Sequence, residues 1–203
     1  MPATRRIGVL GGTFDPIHFG HLLMAREALR AVELDTVLFA PTGRPSHRDP
    51  SAISCARHRC AMVRLALSGE RRYALSTLDV MRPKPTFTID TVRDLRTQYG
   101  PIPEFYFIVG ADNLVDIPKW SNSAQLVRLT HFVACSRSGY PLRDPGLPPG
   151  QLTMLNVPRH DISSTKIRRF VREKRSIFHL TTGSVVRYIR DQQLYEAEAI
   201  HQK

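Results

Sequence analysis

Short apolar runs alternate with helical patterns along almost the whole of this 203-residue chain, and that alternation restricts the fold more than any single motif. Ile7 to Leu10 is an apolar run ending in the turn-rich Gly11-Gly12-Thr13-Phe14-Asp15-Pro16. A helical pattern follows, with Leu22, Leu23, Ala25, Ala28, Leu29 and Val32 on its apolar face. Thr36 to Ala40 reads as a second strand and Ile53 to Leu67 as a second helix. The same reading gives a strand over Tyr73 to Val80, a helix over Thr88 to Tyr99 and a strand over Phe105 to Val109. A helix over Ser123 to Leu129 and a strand over Phe132 to Cys135 complete the series. Strands separated by helices need crossovers, so they pair in parallel and have both faces covered. The expected fold is a doubly wound α/β domain whose parallel sheet carries helices on both faces. Ligands bind such sheets beyond the carboxyl ends of the strands, which directs attention to the loops after Leu10, Ala40 and Val109.

Composition fits one domain over residues 1–203, with a C-terminal helical part from about Ile162. The chain is 42% hydrophobic and has no linker-like tract, only the proline- and glycine-rich loop Ser138 to Gly150. No apolar run reaches the ~18 residues of a membrane span, and the first residues turn to glycine too early for a signal peptide, so a cytoplasmic protein without a membrane partner is expected. Cys55, Cys60 and Cys135 lack the paired spacing of a zinc site and read as buried or idle thiols. The net charge of +11 admits nucleic acid, anionic membrane or phosphorylated small molecules as partners.

Three segments bear chemistry. In Gly11 to His21, paired glycines allow close backbone approach, a helix start adds unpaired N–H groups, and His18 and His21 sit three residues apart on one side of that start. This suits phosphate, although the segment is neither a dinucleotide fingerprint nor a Walker A loop. In Asp161 to Arg169, a capped amphipathic helix begins with hydroxyls beside Arg168. From Arg159 to Arg175 there are seven Lys/Arg against two acids. Taken alone, that helix fits a second phosphate site and a solvated basic face equally well. In Gly110-Ala111-Asp112, an acid at a strand end can accept from ribose hydroxyls. The sole tryptophan, Trp120, has polar flanks that suit an exposed stacking ring, against the commoner reading of a core residue.

At these residues the chain resembles a known family. Gly11 to His21 resembles the GGTFDPxHxGH signature of nicotinate mononucleotide adenylyltransferases, within the HxGH nucleotidyltransferases, and Ile162 to Arg168 resembles the ISSTxIR motif of that superfamily. Pro85 to Thr91, Gly110 to Asp112 with Trp120, and Ser136 to Tyr140 resemble narrower marks of the same enzymes, so the likeness runs from about Arg6 to Tyr195. Two departures stand out: Ser46 in Pro45-Ser46-His47-Arg48, and Ser138, where the family usually has proline.

The resemblance implies a Rossmann-like fold and adenylyl transfer from ATP to the 5′-phosphate of nicotinate mononucleotide, by direct in-line attack and with Mg²⁺ bridged mainly by substrate phosphates. It implies catalytic roles for His18, His21 and Arg168. ATP would be bound by Gly11, Gly12, Thr13, Phe14, His18, His21, Gly110, Asp112, Ser163, Thr165 and Arg168. The mononucleotide would be held by Asp15, Arg48, Thr88 and Trp120, with Arg44 and His47 beside Arg48 on a loop closing over the phosphates. Phosphopantetheine adenylyltransferase shares HxGH and ISSTxIR but is usually shorter and lacks the Thr88 and Trp120 segments. A nucleic-acid module would use Arg168, Arg169, Arg172 and Arg175, but aromatic rings are not interleaved with them as base stacking requires, which makes nucleic acid an unfavoured partner. A homo-oligomer is left open. Arg169, Arg172, Arg175, Arg187 and Arg190 exceed what one active site needs and read as a solvated basic surface.

Overall fold

The computed structural model describes residues 4–43, 53–83 and 87–196. Six strands form one sheet: β1 (Arg6–Gly12), β2 (Thr36–Pro41), β3 (Tyr73–Leu75), β4 (Glu104–Gly110), β5 (His131–Cys135) and β6 (Leu152–Leu155). All neighbours pair in parallel in the order β3-β2-β1-β4-β5-β6. This is the doubly wound order, and its direction reverses between β1 and β4. The helices are α1 (Phe19–Ala31), α2 (Ala56–Ala66), α3 (Leu78–Met81), α4 (Thr88–Tyr99), α5 (Ala111–Leu114), α6 (Ser123–Leu129), α7 (Ser164–Arg172) and α8 (Gly183–Asp191). None among the described residues is long and apolar enough to cross a membrane.

The strands are apolar on both sides because both sides are buried, and their period-2 alternation sorts them into two cores. Leu10, Val37, Phe39, Ile108, Val133 and Cys135 face one core with Ala25, Met62, Ile167 and Val185 from α1, α2, α7 and α8. Ile7, Val9, Leu38, Phe105, Phe107, Phe132 and Ala134 face the other, with Val92 and Leu126 from α4 and α6.

Two strands differ from the sequence expectation, and the loop expected after Val109 opens with the short helix α5. The strand expected over Tyr73 to Val80 stops at Leu75, and Leu78–Met81 is the helix α3. Asp79 is buried there beneath the hydroxyl of Thr91 in α4, so a tertiary contact overrides the β-rich run. The edge strand β6 was not anticipated. Its parallel pairing to β5 is reached through residues 136–151, a crossover without a helix, and the alternating pattern gave no sign of it.

Candidate active site

The first loop is set by what packs beneath it. β1 ends in Gly11 and Gly12 beside the sheet's switch point. A Cβ on Gly11 would come within 3.0 Å of the Phe107 ring, so the glycine lets β4 pack close. Phe14 adopts φ +51° and turns its side chain into the core, where its ring meets His21 edge-on at 4.9 Å and tilts against Phe39. Phe14, expected to bind ATP, is 1% exposed, so its ring shapes the loop from beneath. Asp15 is 2% exposed. Its carboxylate accepts from the Tyr195 hydroxyl at 2.6 Å and the Ser54 N–H at 3.2 Å. Both oxygens of a residue expected to touch the mononucleotide are therefore engaged inside the protein, because the loop folds over the chain that follows α8.

The rest of that loop is fastened through its carbonyls. Arg168 donates to the carbonyl of Asp15 at 2.7 Å, Ser164 to Pro16 at 2.9 Å and Thr181 to Ile17 at 2.8 Å. Arg59, 2% exposed on α2, donates to the carbonyls of Thr13, Ser54 and Gly43. One buried guanidinium thus ties together the segments after β1, after β2 and before α2, as its planar fork of donors allows. Its pKa is lowered by burial and supported by the charge of Asp15.

His18 is the N-cap of α1, and His21 lies in the first turn. Their rings stack with centroids 3.7 Å apart. The His18 backbone N–H donates to His21 Nδ1 at 3.2 Å, so the His21 proton is on Nε2. Burial first, then Arg137 and His160, lowers the His21 pKa to about 3. Burial, His21, His160 and Arg137 likewise hold His18 well below the ordinary histidine value. Both rings are neutral donors at physiological pH.

The second helix start lies against this loop. Ser163 caps α7, accepting from the Lys166 N–H at 3.2 Å. Ser164 reaches the loop, and Thr165 is exposed beside Arg168, whose Nη2 lies 3.4 Å from its hydroxyl. At the end of β4, a Cβ on Gly110 would collide with Asp112 Oδ1. Asp112 Oδ2 pairs with Arg137, while the buried Oδ1 has no partner. Trp120, half-buried, rests edge-on against Phe107 and Phe132, each at 6.3 Å. Trp120 therefore has its base in the core and sits one ring away from Gly11. Thr88, half-buried, opens α4. Arg44, His47 and Arg48 lie outside the described residues, as does the unusual Ser46.

Sequence reasoning missed Arg59, Arg137, His160 and Tyr195. Arg137 was visible only as part of a motif, and the others have partners 46 to 180 residues away or close in space but on another element. Of the thiols, Cys60 and Cys135 are buried and Cys55 is exposed, and burial pushes Cys135 up to about 12. Several surplus arginines pair on the surface, Arg169 and Arg175 with Glu173 and Arg190 with Asp191.

Comparison with known proteins supplies the family. Residues 9–170 match the cytidylyltransferase-like family. The chain is 42% identical over 195 residues to a "probable nicotinate-nucleotide adenylyltransferase" of Acidothermus cellulolyticus, covering 94% of each chain. It is 44% identical to a protein of the same name from Leifsonia xyli, covering 96% of each. The fold is shared with the nicotinic acid mononucleotide adenylyltransferase of Plasmodium falciparum complexed with APC, at a TM-score of 0.77 and 20% identity over 94% of this chain and 97% of that one. By its family match and its near full-length identity to these relatives, the chain belongs to the cytidylyltransferase-like family and, within it, to the nicotinate-nucleotide adenylyltransferases.

Proposed function

We propose that this chain joins the 5′-phosphate of nicotinate mononucleotide to the AMP part of ATP, releasing pyrophosphate, by direct in-line attack without a covalent enzyme intermediate. The observation that carries the reading is the pairing of two helix starts on one loop: His18 and His21 at α1, and Ser163, Thr165 and Arg168 at α7, which is fastened to the loop through Ser164 and Arg168. Such a site offers N–H, hydroxyl and guanidinium donors to a triphosphate. The attacking phosphate is already ionised, so the protein has to position it and stabilise charge, not supply a nucleophile.

His21, with its proton fixed on Nε2, donates toward the α-phosphate and the departing pyrophosphate. Gly11, Gly12 and Thr13 lend backbone close to the phosphates, and the carboxylate of Asp112 at the end of β4 accepts from the adenosine ribose. Trp120 offers a ring face to the pyridine, and Thr88 its hydroxyl. Asp15 acts from beneath, shaping the loop. The donors suit phosphate better than metal, and among the described residues no group of three or more His, Cys, Asp or Glu could hold an ion. Mg²⁺ carried mainly by phosphate oxygens and water fits these residues, and when bound it supplies charge neutralisation for the leaving pyrophosphate. We read the 203 residues as one nucleotidyltransferase domain acting in the cytoplasm. The test is pyrophosphate release from Mg-ATP by the purified protein: release only when nicotinate mononucleotide is present supports the reading, and none in its presence overturns it.

A further inference from the structure

His18 Nδ1 is buried and has no hydrogen-bond partner. The cap position brings the ring toward the first turn of α1 in a capping-box arrangement with His21, but no bond closes on it, because the His21 N–H goes to the His18 carbonyl at 2.9 Å. His18 as a whole is 6% exposed, and an orphaned ring nitrogen in such a place calls for an explanation. His160, two residues ahead of Ile162, supplies one. Its ring lies over Gly20: a Cβ there would meet His160 Cε1 at 2.5 Å, and the same point is 3.0 Å from both His160 Nε2 and His18 Nδ1. The absence of a side chain at position 20 therefore lets two imidazoles from different elements face each other across the first turn of α1. The Ile162 N–H points to His160 Nδ1 at 3.4 Å, which leaves the His160 proton on Nε2, the nitrogen that shares the space above Gly20 with His18 Nδ1.

We propose that His160 is a positioning residue: a small rotation of its ring from the position seen here lets its Nε2–H donate to the unpartnered His18 Nδ1 and hold His18 in the tautomer that presents Nε2–H to the triphosphate. The inference rests on the adenylyl-transfer reading above. His21 is fixed in the same tautomer by the His18 backbone N–H, so both rings offer the same donor, one set from within α1 and the other from the approach to α7. Partners that orient a functional histidine through its second nitrogen are worth roughly 10- to 100-fold at metal sites, and the lower end is expected here.

The experiment compares the full-length protein with His160→Leu and His160→Gln, reading the His18 ring-nitrogen shifts by NMR and the steady-state rates with Mg-ATP and nicotinate mononucleotide. Glutamine keeps an N–H near the Nε2 position; leucine keeps bulk alone. The parent and His160→Gln are expected to show an unprotonated His18 Nδ1. In His160→Leu, mixed tautomers are expected with kcat about 10-fold lower and the mononucleotide KM unchanged. Parent-like tautomers in His160→Leu, or equal losses in both variants, would overturn the proposal. A parent with a single fixed tautomer and no pyrophosphate release would overturn the adenylyl-transfer reading instead, and the ring-nitrogen result would stand.

Discussion

The loop Gly11 to His21 and the Thr88–Trp120 side stand at the same end of the sheet and are built by different means. The loop is held by directional bonds to its carbonyls from Arg59, Ser164, Arg168 and Thr181, together with Tyr195 on Asp15. The other side relies on ring packing of Trp120 against Phe107 and Phe132, plus one polar clasp. In that clasp the Thr91 hydroxyl lies 2.8 and 2.9 Å from the Asp79 oxygens, and Arg82 reaches both Asp79 and Asp94. Buried bonds to carbonyls fix a backbone at the cost of tolerance, because each lost donor leaves an acceptor dry. Ring packing supplies a surface and leaves its details adjustable.

The largest effect should come from Arg59→Met. Three half-buried carbonyls and the buried Asp15 carboxylate lose their cation, for a loss of about 3–5 kcal/mol and a melting point lower by roughly 10 °C. A thermal melt within two degrees or so of the parent would mean the loop does not depend on its donors. Next, His21→Ala should lower kcat by ~100-fold or more with little change in ATP affinity, since a preorganised donor acts chiefly in the transition state. Parent turnover would remove His21 from the chemistry. Smaller again, Trp120→Ala should raise the mononucleotide KM by about 10-fold while kcat holds, as expected for stacking lost equally from ground and transition states. An unchanged KM would make the ring a core residue only.

The smallest effect separates the two sides by pH. Burial first raises the Asp79 carboxyl to about 6, against the Thr91 hydroxyl and Arg82, which favour its ionised form. The native state then holds a proton that the unfolded chain has lost, so this stabilisation is full below the ordinary carboxylate range and is lost as pH rises through 6. His21, at about 3, has the opposite sign: its contribution is present above 6.5 and is lost as pH falls toward 3. Asp79→Asn should therefore gain on the parent by about 1–3 kcal/mol between pH 4.5 and 7.5 in paired melts. A constant difference across that range would show that Asp79 does not titrate there.

How much of this the sequence discloses depends on the range of the interaction. The helices Thr88–Tyr99 and Ser123–Leu129 were legible to the residue because their apolar period and bounding residues are local. The strand after Arg72 was over-extended, since Leu75, Leu78 and Val80 read as one β-rich run until Thr91 draws Asp79 inward. Both helix-start motifs announced their residue types. Their support did not: Arg59 reads as one more basic residue on an amphipathic helix, and no pattern links Asp15 to a hydroxyl 180 residues on.

That separation has a consequence for how the molecule is made. The segment bearing His18 and His21 is made well before the partners that shape it, Ser164, Arg168, Thr181 and Tyr195, which come 148 to 180 residues later. Contacts of that span form late in folding. A nascent chain can pair β1, β2 and β4 long before its first loop is finished, and the loop takes its final shape only after the segment through Tyr195 has been made.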